Sequence, residues 1–365
     1  MHELKIWTFH LKFEGTLQTL DLQFNDLKKL PKGLFDKFDL LRTIWLGNNP
    51  LSFNAEEVMN SLRFTLDSLY LNGEFMGSIK ELKTIRNLRS LGLCSMDGDV
   101  SGDDFEGFGP ALEHLNVQKN NLKSVSANAF KHIPGIKYLD MSENRIDNIA
   151  GTAFDDIATS LSELKMVNGL SMSSLDSAPF KKLRAMRHLD LSGNKITTIA
   201  GDFFNKMRDL RTVNLQDNRL DKVSPQYFRN DYTPDLVNIT LAFNHIGSVD
   251  KGTFKDLNRL RVLDMADNKI KSIAKGAFMN MENLETIYLE DNSIDTISNE
   301  AFHNLPKLST LNLAYNSISR MSFDWLDQVG LLSLLYFIPF LRLLYEGIRL
   351  SLSFIYISLK IQPIL

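Results

Sequence analysis

The chain of 365 residues contains one cysteine, Cys94. A single thiol forms no internal disulfide, and its place directly after Leu93 suits a small semi-polar packing residue. Excess charge is missing too: 41 basic residues against 44 acidic ones leave a formal net charge of −3, with the basic residues spread along the chain. The footprint expected of a nucleic-acid binder is therefore absent, and acidic and neutral partners stay equally open. The first sixteen residues, MHELKIWTFHLKFEGT, carry Glu3, Lys5, Lys12 and Glu14 and no apolar run long enough for a signal-peptide core. Two expectations remain for this end: an intracellular protein, or a chain whose beginning is absent.

What the chain has in quantity is a repeat. The pattern LxxLxLxxNxL, or a close variant, starts thirteen times, at Leu17, Leu41, Leu66, Leu88, Leu112, Ile136, Leu161, Met186, Leu210, Leu236, Leu260, Leu284 and Leu308. Seven of the twelve steps are 24 residues and the rest run from 22 to 26, which marks one supersecondary unit copied along an axis. In each copy LxxLxL reads as a short strand. Positions four and six point inward, as in Leu139 and Met141 or Leu263 and Met265, and positions three and five point outward. Stacked copies predict an α/β repeat solenoid, a horseshoe with a curved parallel β-sheet on its concave face and short 3₁₀ or irregular returns on its convex face. Thirteen strands about 4.8 Å apart span roughly 60 Å, enough for an interface of about 800 Å² per partner.

Position nine is asparagine in ten copies: Asn25, Asn49, Asn120, Asn144, Asn194, Asn218, Asn244, Asn268, Asn292 and Asn316. Where the chain leaves its strand, backbone groups lose their sheet partners, and a buried carboxamide both donates to and accepts from them. These asparagines are read as a structural ladder. The return carries Ala129-Phe130, Ala153-Phe154, Phe180, Phe204, Phe228, Phe254, Ala277-Phe278 and Ala301-Phe302, one phenylalanine per turn, which predicts an aromatic spine in the core.

The full pattern LxxLxLxxNxLxxIxxxaFxxLxx, written by residues 260–283 and again by 284–307, resembles the typical 24-residue class of leucine-rich repeats. The resemblance covers about residues 17–320 and is to the class found in chaoptin-like adhesion proteins, Slit-like guidance proteins and Toll-like receptor ectodomains. It implies the fold strongly and the function weakly, because one scaffold serves adhesion, signalling and innate recognition. Members that are secreted usually close both ends with disulfide-bonded caps, and none lies before Leu17 or after Ile318. Intracellular members tend to have 23-residue repeats without the Ala-Phe pair, so the class implies the cell surface or the extracellular space.

Leucines, asparagines and phenylalanines are consumed by the fold, which leaves the outward positions to bind. In the middle of the array these read His114, Asn116, Tyr138, Asp140, Glu163, Lys165, His188, Asp190, Thr212 and Asn214. Trp45, Tyr70 and Tyr288 add aromatics at position five, either as binding anchors or as cover for neighbouring strands. Asp140, Asp190 and Asp264 are expected to pair laterally with Arg187, Arg211 and Arg261. The partner-binding candidates are thus Trp45, Tyr70, His114, Asn116, Tyr138, Asp140, Lys165, His188, Asp190, Asn214, Asp264 and Tyr288. Asn238, in the sequon Asn238-Ile239-Thr240, is a glycosylation candidate on the same face.

Catalysis finds little support. His188 and Asp190 share one strand face, and Ser192 follows them without a glycine-rich elbow. His114 and His188 lie three strands apart, about 14 Å, too far to share a metal. The segment Asp97, Asp99, Ser101, Gly102 begins like a calcium loop, but Phe108 stands where a bidentate glutamate is needed, so a solvated loop is the stronger reading. No catalytic residue, metal or cofactor is expected.

The irregular copies have Glu74, Met96 and Gly169 at position nine. Three segments follow: residues 1–16 as an incomplete first repeat or cap, 17–320 as the thirteen repeats, and 321–365 as a hydrophobic tail. The tail reads as a membrane segment near 329–345, as an unrelated read-through, or as a buried cap. The expected function is non-enzymatic protein–protein recognition at the cell surface, in adhesion or receptor-type signalling, with homophilic contact and membrane association through the tail left open. The alternative is a cytoplasmic leucine-rich-repeat scaffold.

Overall fold

A strand that packs one face of alternating leucines needs a neighbour to bury them, and a chain of near-identical strands supplies one at every turn. The computed structural model describes residues 15–71, 79–93, 96–318 and 334–336. The chain divides into two compact units, Met1–Leu161 and Ser162–Leu365. Each is a parallel β-solenoid of three-residue strands joined by long returns.

In the first unit the strands are Thr19–Asp21, Thr43–Trp45, Ser68–Tyr70, Ser90–Gly92, His114–Asn116 and Tyr138–Asp140. Their register sets Leu20, Ile44, Leu69, Leu91, Leu115 and Leu139 in one row. The second unit repeats this with Glu163–Lys165, His188–Asp190, Thr212–Asn214, Asn238–Thr240, Val262–Asp264, Thr286–Tyr288, Thr310–Asn312 and Leu334–Tyr336. Its row runs Leu164, Leu189, Val213, Ile239, Leu263, Ile287, Leu311 and, in backbone register, Leu335. Ile44 through Leu139 and Leu164 through Leu311 are buried. Each such side chain contributes roughly 1.5–3 kcal/mol of transfer free energy.

The strand ends in a turn that recurs at position eight. Phe24, Asn48, Lys119 and Glu143 in the first unit have φ between 53° and 57°, and Asn168, Asp217, Phe243, Asp267, Asp291 and Tyr315 in the second lie between 50° and 55°. Left-handed backbone at a non-glycine residue costs of order 1 kcal/mol or more, so the next residue must hold it. Position nine does so. The Asn268 Nδ2 lies 3.0, 3.1 and 3.0 Å from the carbonyls of Leu241, Met265 and Ala266, while its Oδ1 accepts from the Ile246 N–H at 3.1 Å. Asn49, Asn120, Asn144, Asn194, Asn218, Asn244, Asn292 and Asn316 each donate to one carbonyl of the preceding copy and two of their own. Asn25 is exposed and, among the described residues, donates within its own turn, to Leu22 and Gln23. In the copies without asparagine, the Met96 N–H is taken by Asn120 Oδ1 and the Gly169 N–H by the Met166 carbonyl; Glu74 lies outside the described residues.

The returns are mostly turns, with 3₁₀ segments at Asn60–Leu62, Ile79–Thr84 and Asp155–Ile157 and one short helix, Ala55–Met59, capped by the Asn54 side chain. They also carry something the leucine pattern does not announce: small parallel sheets of their own. Asn121–Val125 pairs with Asp97–Val100 and with Asn148–Ile149; Ser174–Leu175 pairs with Thr198–Ile199. Ser272–Ile273 pairs on both sides, with Ser248–Val249 and Thr296–Ile297, and Phe278–Met279 with Phe254–Lys255 and Phe302–His303. The stretch weighed as a solvated calcium-type loop is therefore partly strand. Its carboxylates diverge: Asp99 accepts from the Ser124 hydroxyl at 2.6 Å, Asp103 pairs with Lys131 at 3.0 Å, and Asp104 accepts from the Ser101 N–H at 2.7 Å.

Phenylalanine fills the space between sheet and return. Phe105, Phe130 and Phe154 stack at 5.9 and 5.8 Å in the first unit. In the second, Phe204, Phe228, Phe254, Phe278 and Phe302 follow one another at 5.0, 6.3, 5.7 and 5.1 Å. Phe180 meets Phe203 at 4.7 Å, and Phe203 meets Phe204 at 5.0 Å. Cys94 and most of the segment expected near 329–345 lie outside the described residues. Among the described residues no helix is long and apolar enough to cross a membrane.

Candidate functional site

Outward positions three and five bring the expected candidates onto one sheet face in each unit. In the second unit Glu163, His188 and Thr212 stand in one register row and Lys165, Asp190 and Asn214 in the next. Together they line a shallow depression of about 260 Å³ whose floor is Leu164 and Leu189. The side chains are linked. His188 Nδ1 lies 2.8 Å from Thr212 Oγ1, Asn214 Nδ2 donates to Asp190 Oδ2 at 3.2 Å, and Lys165 meets Glu163 at 3.2 Å. His188 thus pairs along the sheet with Thr212, and Asp190 Oδ1 takes the Ser192 hydroxyl at 2.6 Å. A base oriented by a carboxylate is not what these three residues form; they form a polar, pre-ordered surface.

Position five has a structural duty that the sequence reading overlooked. Asp190 Oδ1 accepts from the N–H two residues on, that of Ser192, at 3.0 Å. Asn116, Asp140, Asn214, Asp264 and Asn312 do the same toward Gln118, Ser142, Gln216, Ala266 and Ala314. Each of these side chains closes a turn with one oxygen, and the second oxygens of Asp140 and Asp190 accept from the Tyr138 hydroxyl and Asn214 Nδ2. Asp140 is only 7% exposed, so its share is small. The lateral pairing expected of Asp264 with Arg261 gives way to Arg261 with Glu285 at 2.7 Å, a bond between neighbouring position-two side chains.

The first unit carries the aromatics. Trp45 and Tyr70 stack across adjacent strands, centroids 5.8 Å apart and planes 20° from parallel, both half-buried. Each therefore covers its neighbour on the adjacent strand. His114 and Tyr138 lie 6.1 Å apart, and the Tyr138 hydroxyl donates to Asp140 at 3.2 Å. Tyr288 is half-buried in register with Asp264, and Asn238 is exposed in register with Thr212 and Val262.

Beside this face lie residues the sequence reading did not select. Phe24, Phe243 and Tyr315 occupy the left-handed position eight and are 77%, 50% and 53% exposed. Their signal was present in the repeat frame, because position eight always follows the strand and points out. Asp267, Glu290 and Asp291 join Asp264 in an acidic cluster at the same exit. Burial raises the carboxyls of Asp264, Asp267 and Glu290 above the usual carboxylate range; the charge of Asp291 adds to the last two. A carboxyl raised in the folded state binds its proton more firmly there than in the unfolded chain. Its contribution is therefore unfavourable at neutral pH and fades as the pH falls through the raised value. Asp291→Asn is expected to raise the thermal midpoint at pH 7 by roughly 1 °C. At about pH 3.5, with the carboxyls largely protonated, it should give no gain. Equal gains in melts at both values would show that repulsion is not the cause.

The leucine rich repeat family model matches residues 86–146, 110–168, 159–220, 234–294 and 282–337. Chaoptin of Drosophila melanogaster is 42% identical over 224 residues, 60% of this chain and 17% of that protein. The chain spans about a fifth or less of the length of this relative, and 22% of mouse podocan, which is 30% identical over 142 residues. Among solved structures, the glycosylated form of the Toll–Spatzle complex, from Drosophila, aligns with a TM-score of 0.67 at 19% identity, over 88% of this chain and 44% of that one.

Proposed function

Because the chain belongs to the leucine-rich repeat family, we propose that it is a recognition module whose open sheet face docks a protein partner at the cell surface. The observation that carries this reading is the depression of Glu163, Lys165, His188, Asp190, Thr212 and Asn214. Its side chains are already held by one another, so binding orders little that is not ordered. The Trp45–Tyr70 stack supplies in the first unit the rigid aromatic area that anchors interfaces. The 24-residue class and the exposed Asn238 favour the secretory route, and the likeness to a Toll chain that binds Spatzle favours a protein as ligand.

The test pairs location with binding. The full gene, expressed in cells, should yield surface-labelled protein whose mass falls when Asn238 is replaced by glutamine. Ectodomain-array partners of the purified chain should weaken about 10-fold or more on Trp45→Ala or on His188→Ala with Asn214→Ala. A cytosolic, unglycosylated product would favour the scaffold reading, and partners indifferent to both sets of substitutions would remove the sheet face as the site.

A further inference from the structure

The flank on which the chain enters its strands holds a concentration of positive charge that the whole-chain average conceals. Around the repeat starts Met186 and Leu210, Lys181, Arg184 and Arg187 and then Lys206, Arg208 and Arg211 are all exposed. Neighbouring turns set Arg187 beside Arg211, whose N–H donates to the Arg187 carbonyl at 2.8 Å, and the 24-residue step places Arg184 and Arg208 at the same point of the turn. Among the described residues none of the six side chains has a carboxylate within 4.0 Å or a hydrogen bond. The same flank further along is neutralised: Arg229 is held by Asp231 at 2.8 Å, Arg259 by Asp235 at 2.7 Å, and Arg261 by Glu285 at 2.7 Å. Asp202 and Asp209 are the exposed acids within the cluster's own sequence, so positive charge prevails there.

The opposite flank shows what a balanced surface looks like. A groove of about 630 Å³ there is lined by Lys195, Arg219 and Lys269 and by Asp217, Asp267 and Asp291, whose fields largely cancel. In the basic cluster six exposed cations outnumber the exposed Asp202 and Asp209 and the nearby Asp231, whose carboxyl feels Arg208, so positive charge stays in excess; the large apolar side chains between the cations, Leu183, Met186, Met207 and Leu210, are buried. A protein hot spot wants an apolar or aromatic anchor, and single-stranded nucleic acid wants aromatic faces for its bases. Four guanidiniums, which grip oxyanions bidentately, instead suit repeated sulfate and carboxylate groups.

We propose that this flank binds a linear sulfated polysaccharide. The site stands apart from the sheet face, so partner binding and polyanion binding are separable. The probe is heparin, with calorimetry on the full chain at about 0.15 M salt. The variant R184Q/R187Q/R208Q/R211Q should bind at least about 10-fold more weakly and show a salt slope reduced by roughly 2 to 4. The control K195Q/K222Q/K251Q/K269Q, of equal charge change, should stay within about 2-fold, since its cations lie off the cluster. Both variants should melt like the wild type, because among the described residues the side chains of the arginines replaced make no hydrogen bond or ion pair; if the quadruple variant does not fold, R187Q/R211Q serves in its place. Heparin binding that survives the substitutions, or no binding at this salt, overturns the site. Desulfated heparin, poly-glutamate or single-stranded DNA binding as tightly as heparin overturns the ligand class.

Discussion

Replacing Asn218 with alanine is expected to cost the Ser162–Leu365 unit about 3 kcal/mol of stability, far more than any change on the sheet face. The residue is 4% exposed, its Nδ2 reaches the carbonyls of Leu191, Leu215 and Gln216 at 3.0, 3.1 and 3.2 Å, and its Oδ1 takes the Ile196 N–H at 3.1 Å. Alanine strands the buried Ile196 N–H, which costs about 1–3 kcal/mol, and takes one of two donors from each of the three carbonyls, which keep Asn194 Nδ2, Asn244 Nδ2 and the Gly193 N–H. The left-handed turn at Asp217 loses its support in the same step. Asn218→Asp should be as damaging at pH 7, because a carboxylate facing three carbonyls has acceptors where donors are needed. Its deficit should narrow on acidification, since a carboxyl forced up in pKa by that setting regains a donor when protonated. Asn25→Ala is the internal control, exposed and, among the described residues, bonded within its own turn, with an expected loss within about 0.5 kcal/mol. Urea titrations at pH 7 and pH 5 of the three variants check this. A loss below about 1 kcal/mol for Asn218→Ala would mean that water replaces the carboxamide.

The asparagine ladder was readable in the sequence because it obeys the repeat: one residue type, one position, one unsatisfied backbone turn. The same holds for the leucine rows and for most of the phenylalanine column. What the repeat hid were features that depend on conformation rather than residue type. The two-residue strands of the returns, such as Ser272–Ile273, are too short to show a period, and they exist because neighbouring returns are held parallel by the main sheet. The double role of Asp190 needs the turn at Ser192 to be known before its carboxylate can be seen to cap it. Arg261 chose Glu285 over Asp264 because position two faces position two across the strand gap, while the position-five carboxyl is already turned toward Ala266. The basic flank escaped for a different reason. Net charge sums the whole chain, and only the fold shows that the acids which balance Arg259 and Arg261 have no counterpart beside Arg184 and Arg187.

Phe254→Ala is expected to cost about 4 kcal/mol, and the shape of the loss tests how the solenoid holds together. Phe254 is fully buried, with Phe228 at 6.3 Å and Phe278 at 5.7 Å on its two faces, the second ring within 5° of parallel. Truncation opens a cavity that two turns share, and it removes ring contacts on both sides. Phe254→Leu keeps much of the volume and should cost about 1.5 kcal/mol. In a stack whose stability is a sum of nearest-neighbour interfaces, weakening two adjacent interfaces splits the unit at that point. Amide exchange should then accelerate in the turns around Phe228, Phe254 and Phe278, while the strands Glu163–Lys165 and His188–Asp190 keep nearly wild-type protection. Uniform acceleration across the unit would show instead that the turns open together, and the column of rings would then be one cooperative core rather than a series of local joints.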